Sequence, residues 1–322
     1  MSGTELAVAA IPAGARVDLA YLRSALLVVL AGSLWSTGGV LVKLVEAADA
    51  RQIVLWRSLF VALTVGAVLV WRTRGALLPS FRAVGWNGAA GGLCLAGAFI
   101  FFIEALTRTT VANALFILAV QPFLAALLAR LILGEAVHRA TWLAMLAALA
   151  GIGVMVAPGL ALGGASGSLM ALVSAVCFAL FSVTLRRGRN LDSTPCLLYA
   201  TLFSGLICSL LLVAGRGPAA LLIGGHDLLA CAAMGVVQIG CGMLAFTAGS
   251  RHLPAADLAL LALTEVVLGP VWAWLVVGEV PAFWTLVGGA IVLSATAVQA
   301  VVGARRLAGS MPENSMIHQP RA

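Results

Sequence analysis

A carboxylate in the middle of an apolar run has the most chemistry to offer in this sequence. Glu265 lies within residues 258–279, LALLALTEVVLGPVWAWLVVGE. That stretch is long and apolar enough to cross a bilayer, for which about 20 residues at roughly 1.5 Å each suffice. A charge at the centre of such a helix costs about 2.5 to 3.5 kcal/mol on insertion scales, so it is expected to face a bundle interior or a wet cavity. Two roles are open to Glu265. It could bind a proton or a cationic ligand group and couple the two, or sit as a neutral carboxyl bonded to a backbone carbonyl in a packed interface.

Other polar groups share its apolar surroundings. Asn113 and Gln121 are eight residues apart, about 80° of helical rotation, so both can border one face, and Gln238 offers the same amide chemistry in another run. Each amide suits a substrate or a neighbouring helix equally. Arg57 lies roughly 9 Å inside one end of its run and can snorkel; it could fix a substrate carboxylate, but an ion pair with Glu46 or Glu279 at the outer rim is the expectation. Lys43 is nearer the surface and is read as part of the same rim. Trp56 sits at a depth where a gate and an interface anchor look alike. Trp71, Trp86, Trp142 and Trp284 fall near run ends and suit an interfacial belt.

These residues need a membrane to hold them. Of the 322 residues 62% are hydrophobic and only 10% charged, and the mean hydropathy is +1.10, more apolar surface than a soluble domain can use. Ten candidate spans fall near 24–46, 52–71, 84–105, 110–131, 140–157, 168–185, 195–214, 228–248, 256–277 and 283–303. They are continuously apolar without the period-two alternation of barrel strands, so helices are expected. Residues 1–23 read as a cytoplasmic leader rather than a secretory signal, and 304–322 as a disordered cytoplasmic tail. Fourteen of the 19 Lys and Arg residues fall on the N-terminal side of the ten spans, against Arg51, Arg108 and Arg216 opposite, with Lys43 and Arg57 inside spans. The bias places both termini in the cytoplasm and the chain in the plasma (inner) membrane.

The chain also repeats itself. An offset of 143 residues aligns Trp56 with Tyr199, Leu59–Phe60 with Leu202–Phe203, Gly92 with Gly235, Gly97 with Gly240, and Arg108 with Arg251. A slip of one residue then brings Gly134–Glu135 onto Gly278–Glu279. Trp35 meets Phe178, a pair that could wall a site for a planar or aliphatic ligand or simply pack. Five spans per unit, 24–157 and 158–303, is an odd number, so the second copy enters the membrane upside down, the arrangement that suits alternating access around a central site. The fold class expected is an all-α polytopic membrane protein of ten transmembrane helices in two inverted five-helix repeats.

With LWSTGGVLVK (34–43), VLWRSLF (54–60) and the paired endings FILAVQPFLAALLARLILGE (116–135) and LALTEVVLGPVWAWLVVGE (261–279), the chain resembles the EamA type of the drug/metabolite transporter superfamily. The resemblance implies carriers of small polar metabolites such as amino acids, with a cavity lined mainly by helices one, three, four, six, eight and nine, and it sets Gln121–Pro122 opposite Glu265–Val266. The second copy usually carries proline after the glutamate; here Pro270 lies four residues on, so a kink is expected about one turn further outward. Export is the favoured direction; coupling to protons through Glu265 is open, since the family includes carriers not known to need a driving ion.

Soluble enzyme chemistry is hard to find. The sequence has no phosphate-cradling glycine loop, no paired metal-binding cysteines and histidines, and six cysteines placed as small buried hydrophobes. No cofactor and no nucleic-acid partner are expected. The partners expected are a small-molecule substrate, protons and lipid, with the chain a monomer or homodimer. The alternatives to a secondary transporter are a channel-like pore, an intramembrane enzyme, which would want a second titratable group beside Glu265, and a membrane assembly subunit that transports nothing.

Overall fold

Apolar runs in lipid fold as helices because the backbone has no water to bond and must satisfy its polar groups within the segment. The computed structural model describes residues 19–134, 139–161, 165–187, 194–250, 253 and 255–309, and among these the chain is helical with no strand. The α-helices are α1 (Leu19–Ser36), α2 (Gly38–Lys43), α3 (Ala50–Arg72), α4 (Leu77–Leu106), α5 (Val111–Leu118), α6 (Gln121–Leu133), α7 (Arg139–Ala161), α8 (Ser166–Arg187), α9 (Thr194–Arg216), α10 (Gly225–Ala232), α11 (Gly242–Gly249), α12 (Ala255–Val277) and α13 (Phe283–Gly309). A π-helical segment, Ala233–Cys241, joins α10 to α11.

These elements make ten spans. Span 1 is α1 with α2, span 4 is α5 with α6, and span 8 is α10, the π segment and α11; the others are single helices. Eight are long and apolar enough to cross a membrane, and the apolar runs Leu263–Val277 and Phe283–Val298 complete the set. The all-α polytopic fold is therefore as expected. The ends differ in detail. The first helix starts at Leu19, inside the expected leader, and α13 continues past the predicted end at 303 because 304–308 are all good helix formers. Residues 1–18 and 310–322 lie outside the described residues. Trp71 and Trp86 are strongly exposed near span ends, among a belt of exposed leucines that includes Leu63, Leu206 and Leu286.

The two copies interleave. Helix α1 packs on α11 and α12, α4 on α8 and α9, α3 on α9 and the π segment, and α7 on α13. Small residues set two of these crossings. A side chain on Gly92 would strike Tyr199 and lie 3.1 Å from the Cys196 carbonyl and 3.2 Å from the Ala200 nitrogen. One on Gly235 would strike Phe60 and lie 2.9 Å from the Arg57 carbonyl and 3.0 Å from the Val61 nitrogen. Both helices can approach backbone to backbone only because those positions carry no Cβ. The paired endings also fold alike, with Gly134 at φ 71° and Gly278 at φ 70° closing α6 and α12 in the left-handed conformation that glycine adopts without strain.

Three spans are interrupted, each for a readable reason. In span 1 the hydroxyls of Ser33, Ser36 and Thr37 donate to the carbonyls of Val29, Ser33 and Leu34, competing with the helix just ahead of Gly38 and Gly39. In span 4 Pro122 has no N–H to give, and the Phe123 N–H bonds Val120 at 3.0 Å, leaving the Ala119 carbonyl to the Thr296 hydroxyl at 3.2 Å. In span 8 the π segment carries Gly235 and Gly240 around Gln238. Of their repeat counterparts, spans 6 and 9 are single unbroken helices, and span 3 leaves the helical conformation only near its start, at Gly85 (φ 51°, ψ -149°). In particular α12 is helical straight through Pro270.

Candidate functional site

Interrupted backbone at membrane depth is tolerated where it is buried in protein or lines a wet cavity, and transporters place such breaks beside their sites. Glu265 lies about 15 Å from the start of α12, near mid-depth. Gly32 of α1 faces it closely: a side chain there would lie 3.2 Å from Thr264 Cβ and 3.4 Å from the Glu265 nitrogen. One turn on, the Trp272 indole donates to the Ser36 hydroxyl at 3.0 Å, tying α12 to the break in span 1. Glu265 itself is half-buried and has no hydrogen-bond or ion-pair partner among the described residues.

Gln238 is buried and donates from Nε2 to the Trp35 carbonyl at 3.2 Å, while its Oε1 finds no partner. The Trp35 ring lies over Gly242 and 5.3 Å from the Phe246 ring. Phe178 packs instead against Phe181 at 5.8 Å. Trp35 and Phe178 thus have different aromatic partners, on different helices. Asn113 and Gln121 lie on either side of the turn in span 4. Asn113 is buried near the start of α5, with its Nδ2 donating to Thr109 Oγ1 at 3.0 Å and Ser168 Oγ at 2.7 Å. Gln121 opens α6 and is half-buried. The 80° relation presumes an unbroken helix, and the turn at Ala119–Val120 lies between the two residues.

The expected rim pair of Arg57 with Glu46 or Glu279 does not form. Glu279 is taken by Lys43 at 3.4 Å and by the Val111 N–H at 2.5 Å, and Lys43 also donates to the Thr109 carbonyl at 2.9 Å. Arg57 is 2% exposed, turned into the bundle with its guanidinium 4.9 Å over the Phe99 ring. Trp56 donates to the Leu221 carbonyl at 2.9 Å and so fastens the loop after α9 rather than standing free as a gate.

That end of the bundle is stitched across the repeats by a residue that sequence reasoning passed over. Asp227, in the first turn of α10, accepts the N–H groups of Glu46 at 3.0 Å, Ala47 at 3.0 Å and Ala48 at 2.7 Å. Gln52 adds bonds to the carbonyls of Ala220 and Leu222, and Arg216 pairs with Asp49. The signal was present: an acid one turn inside an apolar run wants either the helix N-terminus or a set of backbone donors. Among the described residues no group of three or more acids, histidines and cysteines is placed to hold a metal.

Two stretches, residues 22–157 and 165–300, match the model of the EamA-like transporter family. No curated protein matches. A solved structure described only as "Crystal structure of protein" is 20% identical, with 88% of this chain and 98% of that one covered and a TM-score of 0.59, a likeness of fold.

Proposed function

The chain belongs to the EamA-like transporter family, and from that premise we propose that it is a secondary transporter that exports small polar metabolites such as amino acids by alternating access around Glu265. The observation that carries this reading is the unpartnered Glu265 carboxylate, at mid-depth on α12 and packed beside the interrupted span 1. A carboxylate left unsatisfied by its own chain gains most from an exchangeable partner, and a proton is the simplest one, so transport is coupled to protons. The lysine and arginine bias supports cytoplasmic termini and an inner-membrane location. In that orientation the end stitched by Asp227, Glu279 and Gln52 is external, and the conformation is closed outward.

The test is solid-supported-membrane electrophysiology on proteoliposomes, screening amino acids and other small metabolites with and without a pH gradient, followed by radiolabel counterflow to catch electroneutral exchange. Wild-type protein is expected to give substrate-evoked, pH-dependent signals, and Glu265→Gln to abolish the pH dependence. Full coupled transport by Glu265→Gln would refute the role of the carboxylate. Flat counterflow across the panel would remove the amino-acid substrate.

A further inference from the structure

We propose that Arg57 is the anchor for a carboxylate on the transported molecule, which makes the substrate class carboxylate-bearing; this rests on the transporter reading above. A guanidinium cannot shed its charge, so enclosure away from water demands a counter-group. None is present among the described residues. Glu104 is held by Arg108 at 2.6 Å, with Arg51 at 4.0 Å. Asp49 is engaged by Arg216 and by its own helix cap, Asp227 by three backbone N–H groups, and Glu279 by Lys43 and Val111. Glu46 is exposed, and neither it nor Glu265 pairs with Arg57.

The pattern of what is unsatisfied identifies the ligand. The two nitrogens without a partner are Nε and Nη2. These form one edge of the guanidinium, the edge that presents two parallel N–H groups to the two oxygens of a carboxylate. Phe99 covers a face of the group and leaves that edge unused. The thiols near it are Cys231, which lies against the Ile53 carbonyl, and Cys208. The edge is enclosed in this conformation, so a ligand reaches it when the helices around it part.

Thermal unfolding of the purified full-length chain in detergent reads binding without requiring transport. Each carboxylate is compared with its own amide: propionate with propionamide, benzoate with benzamide, leucine with leucinamide, and chloride and sulfate serve as anion controls. At least one carboxylate is expected to raise the midpoint while its amide does not. Arg57→Lys keeps the charge and loses the fork, and is expected to weaken that ligand about tenfold or more. Equal shifts for acid and amide, no shift for any acid, or equal shifts with chloride or sulfate would each overturn the proposal, and wild-type protein alone decides these should Arg57→Lys fail to fold. Phe99→Leu, which leaves the fork intact, is expected to weaken the ligand by a smaller factor. Counterflow separates the two readings. A carboxylate that binds through Arg57 but is not carried leaves the anchor and removes the transporter, whereas equal carriage of leucine and leucinamide by wild type and Arg57→Lys removes the anchor and leaves the transporter.

Discussion

Asn113 gives both of its interhelical and local bonds from one amide nitrogen, to Ser168 on α8 and to Thr109 just before its own helix. A side chain so engaged is holding two copies together, and Asn113→Ala is expected to lower stability by about 0.6 to 2 kcal/mol, the range for hydrogen bonds between membrane helices. The check is a lower thermal midpoint in detergent with an unchanged KM in proteoliposomes; a raised KM would return Asn113 to the substrate. At this scale the sequence was readable for charge and poor for direction. Glu265 stood out because an acid in an apolar run has few excuses. The inward turn of Arg57 depended on which ring its guanidinium would meet, and Phe99 on α4 is not a neighbour that spacing along α3 could name. The turn between Asn113 and Gln121 was signalled by Pro122, whose missing N–H interrupts the helix that a simple rotation angle presumes.

Among the elements, the hairpin between spans 1 and 2 is tied most firmly to the opposite copy. Three consecutive backbone N–H groups converge on Asp227, and hydrogen bonds to a charged group contribute about 1.5 to 3 kcal/mol each. Asp227→Asn retains one acceptor oxygen and no charge. Amide hydrogen exchange across residues 45–49 is expected to speed up by about tenfold or more, since about 1.4 kcal/mol is a factor of ten. Unchanged exchange there would show that the hairpin is held by Gln52 and by the pairs Lys43–Glu279 and Arg216–Asp49 instead. The spans themselves were legible because bilayer thickness and backbone satisfaction leave one solution for a long apolar run. Their interruptions were less so: hydroxyls next to Gly38 and Gly39, or glycines around Gln238, permit a break without requiring one.

For the molecule as a whole, the repeat in sequence predicts two like halves, and the halves are alike in path but not in detail. Breaks well inside the span fall in spans 1, 4 and 8, whereas spans 6 and 9 have none and span 3 has its kink near its start, at Gly85. That asymmetry was only partly legible in the chain, where Pro122 marks one of the breaks. The glycine seats measure it. Carried across the offset of 143 residues, the seat of Gly92 on Cys196, Tyr199 and Ala200 becomes Ile53, Trp56 and Arg57. Gly235 instead sits on Arg57, Phe60 and Val61, four residues further along the same helix. The two crossings are therefore the same detent engaged at adjacent notches. Exchanging the notches between the copies drops Gly235 onto Trp56 and moves Gly92 onto Phe203, a stroke of one helical turn, about 5.4 Å. Spin labels at the exposed Leu63 and Val237 are expected to report two distances in liposomes, differing by up to that stroke, with substrate redistributing the populations. A single unmoving distance would mean that the ratchet has only one notch.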